Sequence, residues 1–198
     1  KRHGAVSVTQ YDDDGYLPEA VINYLARLGW SHGDDEIFSR AQLVEWFDLD
    51  HITPSAAQFN TEKLDWLNAH YIKQADNARL AADVSRRLAR REVNPEAGPA
   101  LEAVIALFKD RVATLNELAD AAEPFYIDLH PAPEVLAQHL TDAARGALAT
   151  LRGKLADAVW EKAALSAAIK ETCTAHGLKM PQVAIPLRVV LLGQPQTP

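Results

Sequence analysis

The residue that most clearly calls for a chemical partner is Arg188. It is the one charged side chain in an apolar run near the end of the sequence, bracketed by Pro186 and Gly193. Burying an unpaired guanidinium is costly. Arg188 therefore either reaches water, pairs with a carboxylate, or is held out for an anionic partner. No acidic residue lies three or four positions away on either side of it.

The other reactive side chains do not form a recognisable catalytic centre. The seven histidines include no H-x-x-x-H pair, and the sequence contains no G-x-S-x-G elbow, phosphate-binding loop or dinucleotide fingerprint. The single cysteine, Cys173, lies on an apolar helical stripe, which favours a buried structural thiol over a nucleophile. We expect no metal site and no complete catalytic centre in these residues.

The charge distribution gives a weak indication of where a polyanion could bind. The net charge of −7 argues against indiscriminate nucleic-acid binding, but residues 177–198 carry Lys179 and Arg188 and no acidic residue. A second basic group could bind phosphate, although a solvated helix face is the commoner explanation for such a cluster. Its members are Arg86, Arg87, Arg90 and Arg91.

The elements that would position these side chains are predicted to be helices almost throughout. Apolar residues recur at helical spacing, as at Leu80, Val84 and Leu88, and no strand-like alternation extends beyond a few residues. Helix-start signals precede several segments: Ser7 with Gln10, Pro18, Ser39 with Gln42, and Asn60 or Thr61. The sequence therefore predicts an all-α protein.

A change in composition near residues 72–76 predicts a domain boundary. Aromatic residues are frequent before it, and alanine is abundant after it. We expect one group of aromatic side chains to close a compact first core: Tyr24, Trp30, Trp46, Phe47 and Trp66. Trp160 is likewise expected to be a core residue.

Several general features bound the cellular setting. One cysteine excludes an internal disulfide framework, and no apolar run approaches the roughly 20 residues that span a bilayer. The start of the chain lacks both a signal-peptide core and an initiator methionine. We therefore expect a cytoplasmic location without membrane association, and a chain that is a piece of a longer protein.

Stretches in the first third and at the end of the chain closely resemble bacterial glutamyl-tRNA synthetase, a class I family. Residues 1–8 begin with Lys-Arg, which matches the close of that family's K-[LM]-S-K-R loop, and residues 15–30 match the G-[YF]-L-P-E-A helix. Residues 59–68 and the ending at 182–193 also match, in the same order. The resemblance covers essentially the whole chain.

The resemblance implies a particular arrangement of helices. Residues 1–73 would comprise the end of the signature loop and a helical stem-contact domain. Residues 74–198 would form an α-helical anticodon-binding domain, a helix bundle or cage that can divide into helical subdomains 74–130 and 131–198.

The resemblance also implies a function in translation. The complete enzyme uses ATP with Mg²⁺ to ligate glutamate to tRNA(Glu), and its nucleotide-binding and glutamate-binding fold would precede Lys1. We therefore expect this segment to recognise tRNA(Glu) as a monomer, to be inactive alone and to hold no cofactor itself. The alternative is a helical interaction module that kept the fold but does not read RNA.

The family's functional residues map onto five positions. By resemblance, Lys1 contacts ATP phosphates, Arg111 reads the third anticodon base, Arg188 contacts the anticodon, and Thr197 with Pro198 helps to hold an anticodon base. Splayed anticodon bases suit such contacts, because a guanidinium can stack on a base or bond to its Watson–Crick edge.

Arg111 has a competing interpretation and a further implication. Judged from the residues alone, a surface ion pair with Asp110 is the favoured explanation. In the family, arginine at this position favours the cytosine that distinguishes glutamate tRNAs from glutamine tRNAs, which predicts a discriminating enzyme. A glutaminyl-type synthetase is disfavoured because its anticodon region is built from β-barrels, and no barrel pattern occurs here.

Overall fold

The computed structural model describes residues 7–53 and 58–196, and in these ranges every regular element is helical. The closest approach to a sheet is one isolated antiparallel bridge between Trp30 and Ile52. The all-α prediction is confirmed for the described part of the chain. The helices are α1 (Val8–Asp13), α2 (Pro18–Ala26), α3 (Arg40–Trp46), α4 (Thr61–Gln74), α5 (Asn77–Arg90), α6 (Leu101–Phe108), α7 (Leu115–Ala122), α8 (Pro133–His139), α9 (Asp142–Ala156), α10 (Lys162–His176) and α11 (Met180–Leu192).

Short 3-10 turns interrupt three of the connections, at Pro95–Ala97, Lys109–Arg111 and Glu123–Phe125. None of the helices in the described ranges combines the length and apolar character that crossing a bilayer requires.

Two compact units divide the chain between Ile127 and Asp128. In the first unit, residues from α2 and α4 share a core with residues from α5, α6 and α7, so this core extends across the predicted boundary at residues 73 and 74. Residues on the two sides of positions 73 and 74 therefore do not form separate cores. The division into domains 1–73 and 74–198 remains a proposal. The core comprises Leu17, Ala20, Ile72, Leu80, Val84, Leu88, Val93, Val104, Ile105, Leu115, Leu118, Ala119, Ala122 and Tyr126.

The second unit packs α8 to α11 around a smaller core. Leu151, Cys173 and Val183 lie at its centre, and the predicted burial of Cys173 is confirmed. Gly177 ends α10 in the left-handed conformation, with φ of +61°, and the next amide, that of Leu178, donates to the Cys173 carbonyl at 2.9 Å. This closure satisfies one of the carbonyls that a helix end would otherwise leave exposed.

Most of the helix-start signals act as the sequence predicts. Ser39 and Gln42 form a reciprocal capping box at α3, and the Asn60 side chain accepts from the Lys63 amide at 3.0 Å. Ser7 does cap α1, but it accepts from the amide of Thr9. The predicted partner Gln10 instead donates from its side chain to Asp14, one turn further along the helix. The predicted capping box at Ser7 is therefore wrong.

The aromatic core is smaller than predicted. Tyr24 and Trp30 are buried, and Trp46 is half-buried against the ring of His32, with centroids 4.2 Å apart. Trp66 is 51% exposed and Trp160 is 75% exposed, so their assignment to a core is wrong, and Phe47 is also exposed. Neither exposed tryptophan lies on a buried helix stripe: α4 buries Leu64 and Leu67, and Trp160 lies in the connection between α9 and α10.

An ion pair between α2 and α5 should make stability depend on acidic pH. Arg79 donates to both carboxylate oxygens of Glu19, at 2.6 and 2.9 Å. Burial alone would raise the pKa of Glu19, but the hydrogen bonds from Arg79 and from the backbone outweigh it and lower that pKa. The stability gained is present above the unfolded-state pKa of about 4.3 and is lost as the pH falls through the lower folded-state value.

We therefore expect Glu19→Gln to lower the free energy of unfolding at pH 7 by about 0.5 kcal/mol, since the pair is partly exposed. The difference from the unsubstituted chain should disappear in urea titrations near pH 3. Glu62→Gln, an exposed α4 carboxylate, serves as the control. A difference between Glu19→Gln and the unsubstituted chain that persists unchanged at pH 3 would contradict the assignment.

Candidate nucleic-acid interface

Two of the five predicted site residues fall within the described ranges. Arg111 lies in the first unit and Arg188 in the second. Lys1, Thr197 and Pro198 lie outside the described residues.

Arg111 is presented on a short turn. The residue ends the 3-10 turn that continues directly from α6, and the chain becomes extended at Val112. The Arg111 side chain is exposed. Across residues 7–53 and 58–196, no carboxylate oxygen lies within 4.0 Å of its guanidinium, so the pairing with Asp110 favoured by the local sequence does not form. Five donors in a planar fork are thus available to an acceptor in solvent.

The segment around Arg111 is fastened to α4 on both sides. Before it, Lys109 Nζ donates to the carbonyl of Ala75 at 3.0 Å. After it, Asn68 Nδ2 donates to the carbonyl of Ala113 at 2.6 Å. The backbone that carries the exposed guanidinium is therefore tied at two points.

Asn68 is a functional candidate that sequence reasoning missed. Its side chain is completely buried, and it also accepts from the Leu17 amide at 2.8 Å and donates to the Gly15 carbonyl at 3.3 Å. The signal was present in the sequence, because position 68 falls on the apolar stripe of α4 with Leu64 and Leu67. An amide on a buried stripe indicates a hydrogen-bonded structural role.

Arg188 lies on α11 and is half-buried. Val183, Pro186 and Val189 are buried and fix which face of α11 packs inward. Beyond Gly193, which ends α11 at φ of +71°, the Pro195 carbonyl accepts from Arg188 Nη1 at 3.4 Å. No carboxylate in the described part of the chain lies within 4.0 Å of this guanidinium. Of the three alternatives for Arg188, pairing with a carboxylate is therefore not observed.

A shallow cavity of about 270 Å³ lies beside α11 within the second unit. Its lining combines apolar residues of α9 and α11 with the side chains of Gln138, His139 and Gln182. Amide and imidazole groups beside an apolar floor can hydrogen-bond the edge of a planar ring while its faces pack on hydrocarbon.

The arginine cluster on α5 is engaged within the protein. Arg86 pairs with Asp83, and Arg91 lies 2.6 Å from Asp120 and 2.7 Å from Glu123. Its other two members, Arg87 and Arg90, reach Asp12 and Asp13 respectively. Neighbouring carboxylates thus neutralise a cluster that could otherwise have bound phosphate.

Metal chemistry finds no support in the described ranges. No group of three or more histidine, cysteine, aspartate or glutamate side chains is arranged there to hold an ion.

Two known families match successive parts of the chain. Residues 72–198 match the family described as the anticodon binding domain. Residues 1–66 match the family described as tRNA synthetases class I (E and Q), catalytic domain.

Individual relatives agree with this match. The chain is 79% identical over its whole length to a glutamate–tRNA ligase of Azoarcus sp. strain BH72, and 65% identical to that of Dechloromonas aromatica. A crystal structure of a glutamate tRNA ligase from Elizabethkingia meningosepticum, in complex with its amino acid, superposes with a TM-score of 0.78 at 27% identity. That match covers 95% of this chain and 38% of the crystallised one.

The chain spans less than half the length of these curated relatives, 42% and 43% respectively. It corresponds to their C-terminal portion. The anticodon-binding match nevertheless covers more than half of the chain itself. The chain therefore belongs to the anticodon binding domain family.

Proposed function

We propose that this chain recognises tRNA(Glu) by its anticodon, as the C-terminal portion of a glutamyl-tRNA synthetase. The observation that carries the proposal is the exposed Arg111 guanidinium, which has no carboxylate partner among the described residues although Asp110 adjoins it. An exposed guanidinium on an anchored turn can stack on an unstacked base or bond to its Watson–Crick edge. The relatives named above support glutamate as the amino acid, because they are glutamate–tRNA ligases.

Arg188 is proposed as a second anticodon contact. Among the described residues, the long hydrogen bond to the Pro195 carbonyl is the one hydrogen bond that its guanidinium makes. The residues from 177 onward contain no acidic side chain to compete with RNA. Thr197 and Pro198, in the same segment, are proposed to help hold a base.

The ligase reaction is proposed for the complete protein, located in the cytoplasm. In the complete protein, glutamate, ATP and Mg²⁺ would be bound by the region that corresponds to the part of the relatives that this chain does not span. Lys1 is the single residue here assigned a contact with ATP phosphates, and its ammonium would offset negative charge there. The isolated segment is expected to act as a monomer, to bind RNA and to catalyse no ligation.

The test measures dissociation constants for tRNA transcripts that differ only in the third anticodon base, cytosine or guanine. The ratio of the two constants defines the discrimination. Arg111→Ala is expected to reduce the discrimination by roughly tenfold, within the range for loss of one base contact. Arg188→Ala should weaken binding to the cognate transcript more than it weakens binding to transcripts altered at the other anticodon positions.

Arg152→Ala is the matched control, since Arg152 is exposed on α9 and is assigned no base contact. It should leave the discrimination unchanged. Binding of the unsubstituted chain should also weaken steeply as salt rises. If both Arg111→Ala and Arg188→Ala bind every anticodon variant as the unsubstituted chain does, the protein is an interaction module that does not read RNA.

A further inference from the structure

We propose that Asn68 is a positioning residue for Arg111, and that Lys109 is the second anchor of the same turn. Together they would hold the segment 109–113 so that the guanidinium is oriented before RNA arrives. This inference rests on the proposed anticodon contact of Arg111. It assigns discrimination between bases partly to side chains that touch no nucleotide.

The turn that carries Arg111 is distinct from the neighbouring helices. Residues 109–111 form a single 3-10 turn, and Val112 is extended, so helical backbone bonding does not continue through the segment. α7 begins only at Leu115. A side chain at the end of so short a turn inherits its direction from whatever fixes the flanking backbone.

Hydrogen bonds from side chains fix the backbone that follows the turn. Asn68 directs its carboxamide nitrogen to the Ala113 carbonyl, and the shared oxygen of Gly15 accepts from both Asn68 and the Leu115 amide, at 3.3 and 2.9 Å. Glu117 Oε2 accepts from the Ala113 amide at 2.6 Å. Both polar groups of the Ala113 backbone are therefore satisfied by side chains.

The two anchoring side chains, Asn68 and Lys109, differ in how deeply they are buried. Asn68 is completely buried, so water does not compete for its hydrogen bonds, and a partner left unsatisfied there is penalised. Lys109, by contrast, is half-buried and reaches the Ala75 carbonyl at the end of α4. Both anchors thus originate from or end on α4, so that helix serves as the fixed frame for the turn.

A base contact is sensitive to such positioning. Hydrogen bonds weaken steeply with misalignment, and a planar guanidinium must meet a base edge at a defined angle. If the turn is released, Arg111 remains present and charged. It then attracts RNA without distinguishing one base edge from another.

The test uses the 198-residue chain and the two transcripts with cytosine or guanine at the third anticodon position. Asn68→Ala is expected to lower the discrimination at least threefold, a partial loss of what one base contact provides (about 5- to 150-fold). Binding to the transcript with guanine should change little. Measurements are made well below the unfolding temperature of each variant.

Asn23 supplies a matched control. It is 1% exposed, lies in the same unit, and makes a comparable set of hydrogen bonds, to the Glu36 carbonyl, the Phe38 amide and the Tyr71 hydroxyl. None of them involves the 109–113 segment. Asn23→Ala should therefore lower the unfolding temperature as Asn68→Ala does, while leaving the discrimination unchanged.

A double substitution separates this inference from the proposed function. In the Arg111→Ala background, Asn68→Ala should cause no further loss of discrimination, because the side chain that it positions is gone. If Arg111→Ala alone has no effect, the base contact proposed for Arg111 fails, and the positioning role fails with it. If Arg111→Ala reduces discrimination and Asn68→Ala does not, the positioning role alone is overturned.

If Asn68→Ala does not fold, Lys109→Met tests the positioning of Arg111 through the second anchor. Methionine retains most of the aliphatic stem and removes the bond to Ala75, at a site that is half-buried where Asn68 is completely buried. The expected result is a roughly twofold to threefold loss of discrimination in addition to any uniform loss of affinity. A uniform loss for both transcripts, with the ratio preserved, would show that Lys109 acts only through its charge and would overturn its role as an anchor.

Discussion

Gly15→Ala is expected to lower the free energy of unfolding by about 3 kcal/mol, through backbone strain and overpacking acting together. Gly15 has φ of +91°, a conformation that L side chains rarely adopt. A Cβ atom added there would lie 2.8 Å from the Asn116 nitrogen and 3.0 Å from the Leu115 nitrogen. Neither backbone atom can retreat freely, because the Leu115 amide donates to the Gly15 carbonyl at 2.9 Å.

Gly33→Ala separates strain from crowding. Gly33 also has positive φ, +53°, but an added Cβ atom would meet no atom within 4 Å. Only the left-handed backbone is penalised there, by about 1 kcal/mol. Urea denaturation of both variants, analysed with a common slope, gives the two values. Equal losses for both would mean that the close approach of Gly15 to α7 contributes nothing.

The position of Gly15 explains why this effect extends beyond one loop. The Gly15 carbonyl is shared by Asn68 and by the start of α7, and Asn116 Nδ2 donates to the Asp13 carbonyl at 2.8 Å. The connection between α1 and α2 therefore supports the same segment of chain that carries Arg111. Hydrogen bonds at this place, as well as a common core, connect residues 1–73 with residues 74–127 of the first unit.

Local features of the fold were readable from the sequence because their causes are local. The capping box of Ser39 with Gln42 and the cap at Asn60 involve residues three positions apart. The apolar spacing of Leu80, Val84 and Leu88 likewise identifies a buried stripe whatever it packs against.

Features that depend on distant residues were not readable. The sequence predicts Trp66 in a core as one of a group of aromatic residues. Its exposure depends, however, on which face of α4 meets a neighbour, and the buried face carries Leu64, Leu67 and Asn68. The partners of Asn68 lie about fifty positions away in either direction, at Gly15 and Ala113. Such contacts leave no periodic trace in the sequence.

The candidate site shows the same division. Arg111 was chosen by resemblance, and its local sequence favoured an ion pair with Asp110 that the fold does not form. Adjacent residues in a 3-10 turn direct their side chains about 120° apart, so sequence adjacency is poor evidence for contact. Arg188, in contrast, could be identified from the sequence as lacking an acidic neighbour, because its helix determines which positions come near.

Arg87→Met is expected to lower the free energy of unfolding by about 2 kcal/mol, since several half-buried acceptors lose a buried charged donor at once. Arg87 is 4% exposed and donates to the Asn116 side chain at 3.0 Å, to the Asp83 carbonyl at 3.3 Å and to the Asp12 carbonyl at 2.5 Å. Methionine retains the aliphatic packing, so the loss reports the hydrogen bonds and not a cavity.

Arg90→Met distinguishes this structural role from binding of phosphate. Arg90 lies one turn further along α5, and its side chain is 59% exposed with a single 3.4 Å contact to Asp13, so its loss should lower stability by less than about 0.5 kcal/mol. Urea denaturation and the salt dependence of tRNA binding are measured for both variants. If Arg87 contacted a phosphate of the tRNA, Arg87→Met would reduce the slope of the salt dependence by about one and leave the free energy of unfolding nearly unchanged. The part-buried hydrogen bonds from Arg87 to α1 and α7 predict the opposite pattern: a large loss of stability, with the salt slope preserved at temperatures where the variant remains folded.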